Sequence, residues 1–188
     1  MTGRALPRGL PSVRLEPPTL ERQDEFLAAV HRSREHYRQF ASPPKTPDGY
    51  RRFVEANRSD TRDSHFVVDG ATGSLVGFIN VENIARGLFK SSTVGYIGLA
   101  PHIGHGRMRA GLVLVLDRVF GALGLHRIEA NIQPDNERSK RMVQALGFRL
   151  EGYSPRFLKI CGRWRDHERW AILSEEWPAA RRAAGRNG

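Results

Sequence analysis

The stretch His102-Ile103-Gly104-His105-Gly106-Arg107-Met108 leads into a run in which Leu112, Val115, Leu116, Val119 and Leu123 recur at helical spacing. That spacing predicts a helix over 107–123 lying against a sheet, with Gly124 just past its end. Glycines at 104 and 106 let the backbone turn tightly and expose consecutive N–H groups, and the helix that follows brings a partial positive charge at its start. Together they make an anion cradle suited to a diphosphate, with Arg107 and Arg109 adding charge. A dinucleotide-binding turn is disfavoured, because Arg109 stands where G-x-G-x-x-G needs its third glycine. A G-x-G turn also has purely structural uses, so its neighbours must decide.

Upstream, Ser92–Ala100 reads as a strand carrying Gly95 and Gly98, and glycine inside a strand marks a bulge or the close approach of a ligand. Before it, His65–Asp69 and Leu75–Asn83 form a hairpin across Gly70-Ala71-Thr72-Gly73. Earlier still, Thr19 is a plausible helix cap, Phe26, Val30, Tyr37 and Phe40 keep a helical period, and the three prolines of Ser42–Pro47 stop it before a short helix at Tyr50–Asn57. These helices are natural walls for a substrate. Downstream, His126–Ile132 is a strand, Glu137–Leu146 a helix ended by Gly147, and Phe148–Lys159 with Trp164–Leu173 a hairpin. One domain is expected over 13–177, with a flexible leader at 1–12 and a polar tail at 178–188.

Of 188 residues, 39% are hydrophobic and 27% charged, enough for one α/β core. No stretch approaches the roughly 20 apolar residues of a membrane helix, and Met1–Ser12 lacks the apolar middle of a secretory signal, so a cytoplasmic protein without a membrane partner is expected. The lone Cys161 reads as a turn residue. His102 and His105 have no Cys or carboxylate companions at ligand spacing, so no metal is expected. The net charge of +10 favours anionic partners, and nine basic residues between Arg138 and Arg169 face only Glu151, Asp166 and Glu168. No aromatics interleave a basic strand as base stacking needs, so no sequence-specific nucleic-acid partner is expected.

From Gly95 to Phe148 the chain reads strand, glycine loop, apolar helix, strand, Asn136-x-x-Ser139, helix and Leu146-Gly147-Phe148. This order resembles the acetyl-coenzyme A core of the GNAT superfamily of N-acetyltransferases. Asn83-Ile84-Ala85-Arg86-Gly87-Leu88-Phe89, His126-Arg127-Ile128, Glu151-Gly152-Tyr153, Gly162-Arg163-Trp164-Arg165-Asp166-His167 and Glu176-Trp177 are similar to runs in the ribosomal-protein alanine and serine N-acetyltransferases, over about Val76 to Trp177. The resemblance implies an α/β (α+β) fold: a mixed, mostly antiparallel central sheet, splayed in the middle, with helices on both faces. It implies that Ile97, Gly98 and Leu99 bond the pantetheine arm of acetyl-coenzyme A, that Ile103, Gly104, His105, Gly106, Arg107 and Met108 hold its pyrophosphate, and that Asn136 and Ser139 lie beside pantetheine and sulfur. Two positions depart from the family. Pro101 replaces a usual glutamine or arginine, which weakens a mostly backbone-held grip only modestly, and Val143 replaces a tyrosine that serves many relatives as the acid.

The implied reaction is acetyl transfer to a primary amine, above all the N-terminal α-amino group of a protein, a ribosomal one included. An α-amino group with a pKa near 7.7–8.0 is already partly neutral at physiological pH, so a base reached through water suffices. Glu82 is the expected base, with Asp166 and His167 as alternatives that strand alternation sends to opposite faces. Ser139 is the expected acid, ahead of Tyr153 or water. Tyr96 and Tyr153 are the expected acceptor contacts, while Trp164 and Trp170 are expected to pack. Two other readings are acetylation of an amino sugar or polyamine, which an acidic pocket would suit better, and a non-catalytic acyl-coenzyme A sensor. A monomer or homodimer is expected.

Overall fold

The computed structural model describes residues 5–57 and 59–185. Strand alternation sorts the core into two layers. On β2 (Asp63–Asp69), Phe66 and Val68 join a cluster with Phe26, Tyr50 and Phe78, while Val67 points the other way into a cluster with Leu112, Leu116 and Ile128. Seven strands form one open sheet in the order β1-β2-β3-β4-β5-β7-β6. The others are β1 (Val13–Glu16), β3 (Leu75–Ala85), β4 (Ser91–Gly98), β5 (Arg127–Ile132), β6 (Arg149–Ile160) and β7 (Arg163–Leu173). Every neighbouring pair is antiparallel except β4 with β5. This is the mixed sheet with helices on both faces that the sequence implied.

One face carries α4 (Arg107–Phe120), α5 (Glu137–Ala145) and α6 (Trp177–Ala184); the other carries α1 (Gln23–Arg32), α2 (Arg34–Tyr37) and α3 (Pro47–Ala56). Leu112, Val113, Leu116 and Val119 of α4 are all at 0% exposure. Each such side chain contributes about 1.5–3 kcal/mol of burial, so Leu116→Ala should cost roughly 2–5 kcal/mol. Met108, the second residue of α4, rests its thioether over Gly77, where a Cβ would come within 2.5 Å of the sulfur.

Several expected boundaries move. The first helix does not run through to Phe40: Ser33 interrupts it, donating its hydroxyl to Ala29 O (2.6 Å) and accepting Ala100 N–H (2.8 Å), which ties this layer to the end of β4. Thr19 makes no capping bond, and a 3₁₀ turn at Leu20–Arg22 comes first. Helix α4 stops at Phe120, and Gly124 (φ 61°) serves the following turn instead. Gly147 ends α5 as expected, with Gly147 N–H on Gln144 O and Phe148 N–H on Val143 O. The polar tail is corrected over 178–184, which continue α6 and bury Arg181 and Ala184. Of the leader, residues 1–4 lie outside the described residues, while Leu6 and Leu10 pack on the core. Trp170 packs as expected, but Trp164 is 61% exposed, near the tip of the β6–β7 hairpin where it pairs with Lys159.

Candidate active site

Strands β4 and β5 pair only from Ser91↔Arg127 to Thr93↔Glu129. Past Thr93, β4 stays bonded to β3 as far as Gly98, and β5 stays bonded to β7 as far as Ile132. Each strand follows its outer neighbour, so the sheet opens into a wedge between Val94–Gly98 and Ala130–Ile132. Backbone groups along both lips are left for something other than a strand. A cavity of about 970 Å³ fills this wedge and reaches both faces.

On the α4 face the cavity is floored by Ile103, Gly104, His105, Gly106 and Met108. Gly104 and Gly106 take φ of 93° and 73°, left-handed values that favour glycine. Gly106 is the N-cap of α4, and with no side chain it provides no capping bond. The first bond back into the turn is Ala110 N–H to Gly106 O (3.0 Å), so helix geometry leaves the amides of 107–109 without an intrahelical acceptor. Those amides and the helix dipole fit a diphosphate. Arg138 and Arg141 of α5 and Arg109 of α4 also line this end.

The loop is braced from behind. Asp69, at the end of β2, accepts from Ala71 N–H, Thr72 N–H and the Thr72 hydroxyl, and its other oxygen takes Arg107 Nε at 2.6 Å. The Arg107 bond and these turn donors hold its carboxyl well below the usual range. His102 Nε2 lies 3.1 Å from Ser74 Oγ, and burial lowers its pKa. The Arg107 guanidinium is thus a brace rather than a lining group. Leu99 is likewise not at the wall: its side chain is at 0% exposure, and its N–H bonds Val76 O at 2.8 Å. Ile97 and Gly98 do line the cavity, as do Asn136 and Ser139. Asn136 Oδ1 caps α5 by accepting Ser139 N–H at 3.2 Å, which sets the Ser139 hydroxyl in the first turn of a helix aimed at the wedge. Tyr96 alternates to this same face, and its hydroxyl donates to Ser139 O at 3.4 Å; burial raises its pKa.

The opposite face is built from side chains of distant segments. Tyr37, Phe40, Pro44 and Phe53 wall it from the α1–α3 layer, and Leu158, Ile160 and His167 wall it from the β6–β7 arm. Two crossing bonds hold the 38–44 loop over the cavity: Gln133 Nε2 donates to Gln39 O (3.1 Å), and Cys161 Sγ donates to Arg38 O (3.2 Å). Cys161, read from sequence as a plain turn residue, is a clasp. Phe78, Asn80 and Glu82 alternate onto this face from β3, and Asn131 does so from β5. Asn80 Oδ1 and Asn131 Oδ1 are buried there without a hydrogen-bond partner among the described residues. His167 is 3% exposed, and its Nδ1 lies 3.0 Å from Arg165 O. A carbonyl only accepts, so Nδ1 carries the proton and Nε2 is the basic nitrogen. Burial pushes the His167 pKa below its ordinary value.

Two expected residues sit differently. Glu82 lines the cavity, but Arg62 Nη1 holds its carboxylate at 2.6 Å near the rim. Tyr153 does not reach the cavity: it pairs with Glu168 on the other face of the arm and donates to Asp166, which also accepts Arg156 N–H. Sequence reasoning missed Asn80 and Asn131, while the Phe40–Phe53 wall falls on the early helices it expected to border a substrate. No short motif marks the two asparagines, because they meet only through strand register. Among the described residues, no group of three or more His, Cys, Asp or Glu is placed to hold a metal ion, and no helix is long and apolar enough to cross a membrane.

This wedge, cradle and open sheet define an acetyl-coenzyme A-dependent acyltransferase, and comparison with known proteins agrees. Residues 12–149 match the family described as the acetyltransferase (GNAT) domain, so the chain belongs to the GNAT N-acetyltransferases. It is 34% identical over 161 residues to the Probable N-acetyltransferase YjcK of Bacillus subtilis, covering 81% of this chain and 89% of that protein. It is 35% identical over 107 residues to the ribosomal protein uS5-alanine N-acetyltransferase of Escherichia coli, covering 57% of this chain and 55% of that enzyme. Mycobacterium smegmatis RimJ in complex with CoA-disulfide superposes with a TM-score of 0.85 at 28% identity, over 96% of this chain and 93% of that one.

Proposed function

We propose that the chain acetylates the N-terminal α-amino group of a protein beginning with a small residue such as alanine or serine, a ribosomal protein among the acceptors. The observation that carries this reading is the chemistry of the cavity face opposite the cradle. It offers one amine a set of neutral acceptors, Asn80 Oδ1, Asn131 Oδ1 and His167 Nε2, and the one lining carboxylate among the described residues, Glu82, is neutralised by Arg62. A polyamine carries several ammonium groups and needs several carboxylates; an α-amine needs one site for its N–H groups and one for its proton. The similarity to the uS5-alanine enzyme supports the same choice.

Acetyl-coenzyme A, when bound, supplies the thioester whose carbonyl carbon the amine attacks. The chain's own residues do the rest. The amides of 103–108 hold the diphosphate at the start of α4, and the β4 lip at Ile97 and Gly98 bonds the pantetheine amides in strand fashion. Asn80 and Asn131 accept N–H bonds from the entering ammonium and orient it toward the wedge. The base is His167 or, through water, Glu82; of the two, His167 is neutral and unengaged at Nε2 and takes the ammonium proton more directly. The C–N bond forms, the C–S bond breaks, and the Ser139 hydroxyl passes a proton to the departing thiolate and is restored by the proton that the new amide nitrogen sheds. The N-terminal dipole of α5 favours the negative charge developing there.

A thiol-release assay tests the proposal with Ala-first and Ser-first peptides, spermidine and an amino sugar. Turnover is expected on the peptides, with kcat/KM at least tenfold above the small amines. Preference for spermidine would transfer the site to polyamines, and coenzyme binding without turnover on any amine would make the chain a sensor.

A further inference from the structure

Both ends of the described chain meet beside the cradle. Gly9 and Pro11 line the same cavity as Gly104 and Gly106. A Cβ on Gly106 would lie 3.6 Å from Pro11 Cδ, so the proline ring is in van der Waals range of the turn. The segment that carries these residues is anchored, with Leu6 and Leu10 packed against the α4-side core. Helix α6 fixes it from outside: Arg181, 8% exposed, places Nε on Asp117 Oδ1 at 2.7 Å and donates through Nη2 to Ala5 O at 2.6 Å. Past the helix, Gly185 abuts the segment so closely that a Cβ there would fall 2.7 Å from both Arg8 O and Pro7 Cβ. Two prolines stiffen the stretch between these anchors.

We infer that residues 7–11 form a further wall of the coenzyme site, held by α6 and seated against the diphosphate end of coenzyme A. The inference rests on the glycine loop being the diphosphate site. A backbone wall over the turn keeps water from one side of the amide–phosphate bonds, where a lower local dielectric strengthens them. Arg8, exposed beside Gly9, adds positive charge at the same edge.

Charge swaps at Pro11 in the full chain test this, with coenzyme A binding followed by calorimetry. Pro11→Glu should raise Kd at least tenfold and Pro11→Lys should leave it at or below the wild-type value, with both variants melting like the wild type. An equal loss in both variants would mean a structural role only, and a change under twofold in both would remove the segment from the site; either overturns the inference. A wild-type chain that does not bind coenzyme A would instead sink the site itself, a distinct result. The unmodified protein gives a second reading: coenzyme A should slow tryptic cleavage after Arg8 at least fivefold, and equal rates with and without it would contradict the wall.

Discussion

The two halves of the cavity are built by opposite means. The α4 half is shaped chiefly by backbone, with two left-handed glycines, an uncapped helix start and a strand lip within 94–108, edged by side chains of α4 and α5. The other half is made of side chains drawn from α2, α3, β3, β5 and β7, which lie far apart in the chain. A backbone site tolerates changes of residue but not of conformation or added bulk, and it suits a part common to many enzymes. A side-chain site changes with each substitution, and it suits the part that selects an acceptor.

The largest effect should come from breaking the backbone half. Gly106→Glu adds a side chain at φ 73° and an opposing charge at the cradle. Coenzyme A affinity should fall about a hundredfold or more, ~2.7 kcal/mol, by calorimetry. Unchanged affinity would move the diphosphate elsewhere.

His167→Gln should lower kcat about a hundredfold while coenzyme A Kd stays within twofold, which separates the halves cleanly. Because burial lowers the His167 pKa, the acid limb of the wild-type kcat/KM profile should fall below the ordinary histidine value near 6.5, and it should vanish in the variant. A rate within twofold of wild type would clear His167.

Glu82→Gln is expected to change the rate less than about threefold at neutral pH, since Arg62 already holds the carboxylate. A loss as large as that of His167→Gln would return the base to Glu82.

The smallest effect lies behind both halves, where Asp63 ties β2 to α4 through Arg118 Nε at 2.6 Å. Burial raises the Asp63 pKa, but bonds from His65 and Arg118 outweigh it and hold it at about 2. The depressed folded value means this stability is present above the ordinary pKa of about 3.9 and is lost as pH falls toward 2. Urea melts at pH 5 and pH 3 should show a smaller acid loss in Asp63→Asn than in wild type, and equal losses would contradict the assignment.

The same contrast explains what the sequence revealed. The cradle was legible because Gly104, Gly106 and the apolar period of α4 are local signals, and Gly147 marked the end of α5 for the same reason. Arg107 was placed correctly along the chain but not in space, because Asp69, which captures it, lies 38 residues away. Tyr153 was misplaced because irregular pairing in β6 hides which face it takes. Asn80 and Asn131 were silent because an asparagine's partner, or lack of one, depends on register. The helix over 177–184 was missed because its apolar contacts, Trp177 and Ala184, are few and Arg181, which is buried on Asp117, reads as polar surface in the sequence.

The central claim is that the wedge between β4 and β5 seats acetyl-coenzyme A with its diphosphate on the amides of 103–108 and opens toward His167 on the far side. A crystal structure with coenzyme A and an Ala-first peptide tests this most directly. The account expects diphosphate oxygens within hydrogen-bond distance of those amides, the thiol inside the wedge near Ser139, and the peptide nitrogen within reach of Asn80, Asn131 and His167. Coenzyme A bound outside the wedge, or a peptide entering from the α4 side, would contradict it.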